Sequence, residues 1–233
     1  MGLFDFWMSE DQKIAKQQRV LTDRNQQAED RDKAARWLVD NGTPKAIVAL
    51  LTRFDMSLEN GLKDKTEKET MLAFLRSMGE GVVRPLERHL EKCRQIALPL
   101  QLYVELKGED AAIRKLFEIL EIERKKDDFK PEKKVDALVW LAERRHPEAI
   151  RSTVPSLEDF DEGVRYAAAE VILAQQDDAG REPLLRLLTN PSEDSNRLKS
   201  RLAEVFSQRR WTVPDDLALP SGYAVREGRV VAG

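Results

Sequence analysis

Two short apolar stripes at helical spacing, separated by a polar break, lie between Asp161 and Leu188, and this pair constrains the rest of the chain more than any other feature. Asp161 has the short oxygen acceptor of an N-cap. Val164, Ala167, Ala168, Val171 and Ile172 then fall on one helix face. The alanines let two helix axes approach closely. Gln175 to Asp178 breaks the stripe. Pro183 sits in the first turn of the next helix, where a missing N–H costs little. Leu184, Leu185, Leu187 and Leu188 form the second stripe, which stops at Asn190-Pro191. One such hairpin cannot cover both its apolar faces, so it needs copies of itself alongside.

Four earlier stretches repeat the grammar. Ala34, Ala35 and Leu38 precede a break at Gly42, then Ile47, Val48, Leu50 and Leu51 follow. Met71, Leu72 and Leu75 precede Gly79, then Val82, Val83, Leu86 and Leu90. Leu100, Tyr103 and Val104 precede Gly108, then Ile113, Leu116, Phe117 and Leu120. Val135, Leu138, Val139 and Leu141 precede His146-Pro147, then Ala149, Ile150 and Val154. The breaks recur roughly 30–40 residues apart, the period of helical repeat arrays.

In the pattern Asp161-x-x-Val164-Arg165-x-Ala167-Ala168 with Leu184 and Leu188, the chain resembles the HEAT-repeat family, over about residues 25–210. The resemblance implies an all-α fold: a right-handed α-α superhelix, a HEAT-like solenoid, of about five helical hairpins plus capping helices. It also implies an armadillo-like α-solenoid whose second helices line a concave face, used most often for protein binding and sometimes for nucleic acid. The expected organisation is an N-terminal apolar segment and capping helix over 1–24, the solenoid over 25–210 and a tail over 211–233.

Composition fits thin helical layers with much exposed surface: 41% of the 233 residues are hydrophobic and 35% charged. The net charge of −3 gives no gross pull toward nucleic acid. Cys93 is the only cysteine, which rules out an intrachain disulfide and favours a reducing compartment. No apolar run is long enough to suggest a membrane span. The expected location is cytoplasmic, with a membrane-peripheral alternative.

That alternative comes from the N-terminus, where Leu3, Phe4, Phe6 and Trp7 crowd into a short segment. They either cap the first repeat or anchor the chain to a membrane surface or partner. Phe6 stands where an acylation motif wants Ser or Thr, so myristoylation is excluded. Trp37 and Trp140 fall on first helices and read as core. Leu58 to Thr66 reads as a polar connection, and Glu123 to Lys134 as a solvated linker, with a basic contact patch as the lesser reading. A last helix, about Ser195 to Gln208, closes the stack. Tyr223 to Val231 alternates around Glu227-Gly228 as a small hairpin, which either docks on that helix or adds to a partner's sheet.

No phosphate loop, nucleophile elbow or catalytic triad is present in the sequence, and no enzyme activity or cofactor is expected. His89 and Cys93 share one helix face, but two ligands alone do not make a metal site. His89-Leu90-Glu91 lacks the repeated His-Glu pairs of HEAT-type di-iron hydroxylases. Along the second helices charges nearly cancel, with Arg84, Arg88 and Lys92 against Glu80, Glu87 and Glu91. A phosphate-binding groove needs a cationic excess.

The expected function is a non-catalytic protein-protein interaction scaffold or adaptor that holds a protein partner along the concave face. Arg84, Arg88, Arg151, Arg181 and Arg186 are candidate anchors, since arginine is favoured at binding hot spots. Two alternatives stay open: a nucleic-acid-binding or DNA-base-repair HEAT-like protein, and a peripheral membrane factor anchored by residues 3–7. The expected oligomeric state is a monomer or weak oligomer.

Overall fold

The computed structural model describes residues 8–126 and 130–233. The chain is mostly helical, about 70%, with twelve α-helices and one two-stranded ribbon among the described residues. It divides into two compact units, Met1–Ile122 and Glu123–Gly233.

In the first unit α1 spans Glu10–Thr22, α2 Ala28–Asn41, α3 Pro44–Leu51, α4 Gly61–Ser77, α5 Val83–Lys92, α6 Ala97–Lys107 and α7 Glu109–Arg124, whose last two residues pass into the second unit. Local chemistry sets the ends. Ser9 and Gln12 form a reciprocal capping box at the start of α1. Gly42 ends α2 at φ 63, the left-handed conformation only glycine takes freely. Thr43 then caps α3, accepting from the Ala46 N–H, and Pro44 takes the first helical position.

Packing follows the stripes. α2 touches α4, and α4 touches α6, while α1, α3 and α5 follow one another on the other side. α7 joins that side through Lys115, whose ammonium lies 2.6 Å from Glu91 on α5. The interior is aliphatic: Ala35, Leu38, Leu50, Leu75, Leu86, Leu90 and Leu116 are each 0% exposed. Each such leucine contributes roughly 1.5–3 kcal/mol by leaving water.

Charge is buried too. Arg53, wholly buried within the short 3₁₀ turn Thr52–Asp55, donates to Asp64, Glu67 and the Met56 carbonyl. Glu67 also takes a bidentate fork from Arg31, at 2.6 and 3.0 Å. The same Arg31 holds the Gln26 carbonyl just ahead of α2.

The second unit contains α8, Glu132–Ala142; α9, Ala149–Thr153; α10, Glu162–Ala174; α11, Arg181–Thr189; and α12, Asn196–Gln208. Asp161 caps α10 as expected, accepting from the Val164 N–H at 3.0 Å. The alanine face of α10 packs on α8. A β-carbon on Gly180 would meet Ile172 at 2.6 Å, so glycine permits the close approach between α10 and the start of α11. Arg165 repeats the pattern of Arg31: it forks onto Glu193 and holds the Asp159 and Phe160 carbonyls ahead of its helix.

The C-terminal hairpin is present and docked. β1, Tyr223–Arg226, pairs antiparallel with β2, Arg229–Ala232, and β2 packs on α12. Glu227 and Gly228 both take positive φ, 50 and 67, as a two-residue hairpin turn requires. Ahead of it, Trp211 is buried edge-on to Phe206 and donates its indole N–H to Asp178.

Two expected loops are corrected. Gly61 to Thr66 is helix, because Asn60 caps α4 well ahead of the apolar stripe that begins at Met71. The stretch from Glu123 to Lys134 is not simply solvated. Glu123, Lys133 and Lys134 are buried, and they pair as Lys133–Glu123 at 2.9 Å and Lys134–Asp159 at 2.6 Å. Trp37 and Trp140 are half-buried rather than central, and the Arg144 guanidinium stacks 3.5 Å over Trp140.

Candidate functional site

A groove of about 830 Å³ crosses α1, α3 and α5 in the first unit. Its floor is apolar, built from Ile14, Ala15, Pro44, Val48, Val83 and Pro85. Its rim carries four cations, Lys45, Arg84, Arg88 and Lys107, against three carboxylates, Asp11, Glu80 and Glu87. The helical spacing dictates this division. On α5, Leu86 and Leu90 turn into the core, which leaves Arg84 and Arg88, one turn apart, exposed on the groove side.

Several rim charges are already engaged. Lys45 lies 2.5 Å from Asp11, an exposed pair that contributes little stability. Glu87 accepts the Tyr103 hydroxyl at 2.9 Å. Burial and that carboxylate push the Tyr103 phenol well above its ordinary value, so it remains a donor at any physiological pH. Arg84 and Arg88 make no ion pair among the described residues. They are therefore available to an incoming carboxylate or carbonyl without first breaking an internal bond.

The five arginines proposed from sequence do not form one set. Arg84 and Arg88 share the groove, whereas Arg151, Arg181 and Arg186 belong to the second unit. There, Arg151 is exposed on α9, and Arg186 is exposed and paired with Glu182 one turn away, at 3.2 Å. Arg181 is half-buried and donates to the backbone carbonyl and hydroxyl of Thr212. Its role is to hold the C-terminal tail on the start of α11. Leu3, Phe4, Phe6 and Trp7 lie outside the described residues.

The sequence matches no protein-family model and no curated protein. The site must therefore be read from its own chemistry.

Sequence reasoning missed the part α1 plays. Its mean character is polar, and it read as a cap with little to bury. In the structure it contributes Ile14, Ala15 and Gln18 to the groove, while Ile14 and Leu21 reach the core beneath. The half-apolar face of α1 was the available signal. In the second unit, arginines of α12 are engaged by carboxylates. Arg201 forks onto Glu170 and reaches Glu204, and Arg197 lies 3.7 Å from Glu162. No helix of the described residues is long and apolar enough to cross a membrane.

Proposed function

We propose that the chain is a non-catalytic interaction scaffold of the HEAT-repeat type, which docks a segment of a protein partner in the groove across α1, α3 and α5. The observation that carries the reading is the composition of that groove: an apolar floor beneath a rim of mixed charge, with Arg84 and Arg88 unengaged. An apolar centre excludes water, and a polar rim fixes register, which is the general anatomy of a protein interface. The near-balance of rim charge disfavours a phosphate backbone, whose binding draws on a cationic excess. The repeat reading gains support from the alternation of packed helices in the first unit. It gains more from Arg31 and Arg165, which make the same pair of bonds, backward to a loop carbonyl and forward to a glutamate.

The preferred occupant is a short segment with apolar side chains for the floor and a carboxylate for the two arginines. The test is affinity capture from the native cell, comparing the full chain with an Arg84→Glu/Arg88→Glu double variant and an Arg151→Glu control. A defined protein held by the wild type and the control but lost from the double variant supports the reading. A partner retained equally by all three places the interface elsewhere. Capture abolished by nuclease replaces the reading with nucleic-acid binding.

A further inference from the structure

Beneath the α5 face that lines the groove, on the buried side of the same helix, three side chains of different type converge. Asp55 ends the 3₁₀ turn after α3, His89 lies in the last turn of α5, and Cys93 caps that helix. One donor atom from each lies within 4.8 Å of the other two. His89 and Cys93 are 5% and 4% exposed, so the cluster faces the interior.

We propose that Asp55, His89 and Cys93 form a Zn²⁺ site, with water as fourth ligand. The donor set is the argument. Thiolate, imidazole and carboxylate are the three groups zinc takes from proteins, and tetrahedral bond lengths of about 2.0–2.3 Å set donor separations of about 3.3–3.7 Å. The His89 Nε2 to Asp55 Oδ2 distance is 3.8 Å, too long for a hydrogen bond and within half an ångström of a tetrahedral edge. The widest donor separation, up to 4.8 Å, exceeds a tetrahedral edge by about an ångström, which rotation of the three side chains has to close on binding.

The carboxylate is already oriented for this. Asp55 Oδ1 accepts the Arg94 and Gln95 backbone N–H groups at 2.9 and 3.5 Å, which leaves Oδ2 toward His89. Such outer bonds hold a ligating group in place. The helix supplies the rest, since His89 and Cys93 are one turn apart and the Cys93 N–H bonds the His89 carbonyl at 2.7 Å. The thiol donates to the Leu90 carbonyl at 3.7 Å. On binding, the thiol proton leaves to solvent and sulfur coordinates as thiolate. One thiolate and one carboxylate then neutralise the dication, so no net charge is buried. The ion joins the turn after α3 to the end of α5, and those two helices line the groove.

The experiment uses full-length chain freed of any affinity tag and stripped with chelator, titrated first with Co²⁺ and then with competing Zn²⁺. The expected result is a near-ultraviolet thiolate-to-cobalt charge-transfer band with intense tetrahedral d–d bands, saturating at one ion per chain and erased by Zn²⁺. Cys93→Ser removes the band. His89→Gln weakens Zn²⁺ binding by more than about 100-fold, beyond the range typical of outer-shell losses. Asp55→Asn weakens it while its amide oxygen still accepts the Arg94 N–H, and circular dichroism confirms that the fold survives. A folded wild type that gives no charge-transfer band overturns the proposal. So does a band that His89→Gln and Asp55→Asn, both folded, leave unchanged, because the thiol would then be acting alone.

Discussion

Glu67 is the acceptor on which two buried arginines converge, and replacing it with alanine isolates the worth of that junction. Glu67 takes four hydrogen bonds, two from Arg31 and two from Arg53, at 2.6 to 3.2 Å. Burial pushes its carboxyl up, but the bonds from Arg31 and Arg53 more than offset this and hold it below the ordinary carboxylate range. Removing one partner of a buried ion pair costs roughly 3–5 kcal/mol, mostly from the charge left behind. Arg53 keeps Asp64 and the Met56 carbonyl, and Arg31 keeps the Gln26 carbonyl, so the cost falls at the lower end, about 3 kcal/mol. Amide hydrogen exchange reads this locally. Peptides from α2 and α4 should lose protection by about 150-fold, since each 1.4 kcal/mol is a factor of ten. Glu67→Gln, which keeps an acceptor but no charge, should lie between. The control is Lys33→Ala, which breaks an exposed one-turn pair with Asp30 and should leave protection unchanged. A fall of less than about fivefold in Glu67→Ala, near the range of ordinary surface changes, refutes the assignment of a structural ion junction.

In the second unit, Gly180→Ala forces a β-carbon against Ile172 and should destabilise by about 1–3 kcal/mol, seen as a lower urea midpoint. An unchanged midpoint would mean that α10 and α11 can separate without cost. Trp211→Ala removes the edge-on contact with Phe206 and the bond to Asp178, at a cost of about 3 kcal/mol. Limited proteolysis should then cut within residues 212–233 well before the helices, and equal resistance in variant and wild type would sink the docking argument. Acid should unfold the protein through its buried carboxylates. Asp64, Glu67, Glu123 and Glu193 are each raised by burial but lowered further by their cation partners, so their folded values lie below the ordinary 3.8 and 4.5. A depressed folded value stabilises above the unfolded one and is lost as pH falls through the folded one, so urea stability should decline progressively below about pH 4.5. A flat profile between pH 5 and 3 would contradict it.

Much of the helical order was legible because capping and spacing are local. Asp161 bonds the amide three residues on, and the Leu184–Leu188 stripe needs only its own helix. The connection at Glu123 to Lys134 was misread for the opposite reason. A run of lysines and acids looks solvated in sequence, and the pairing of Lys134 with Asp159 spans 25 residues. The groove was half legible. Arg84 and Arg88 follow from the position of α5 as a second helix, but Lys107 and the α1 floor arrive from elements that sequence placed at a turn and a cap. Asp55 was invisible beside His89 and Cys93, because it ends a short turn with no pattern of its own.

The charged fraction, first read as evidence of exposed surface, carries a second meaning once Arg31 and Arg165 are compared. Each lies near the start of a first helix, reaches back five residues to a carbonyl, and forks forward onto a glutamate 36 or 28 residues on. The backward bond fixes how the chain enters the helix, and the forward fork ties that helix to the next hairpin or connection. Leucine stripes alone permit neighbouring hairpins to slide, since apolar packing is non-directional. A planar guanidinium with two fixed N–H directions does not permit sliding. Apolar stripes therefore hold these helices together, and one arginine–glutamate fork in each unit fixes a helix against the segment that follows it, a task for which the planar fork of arginine suits better than lysine.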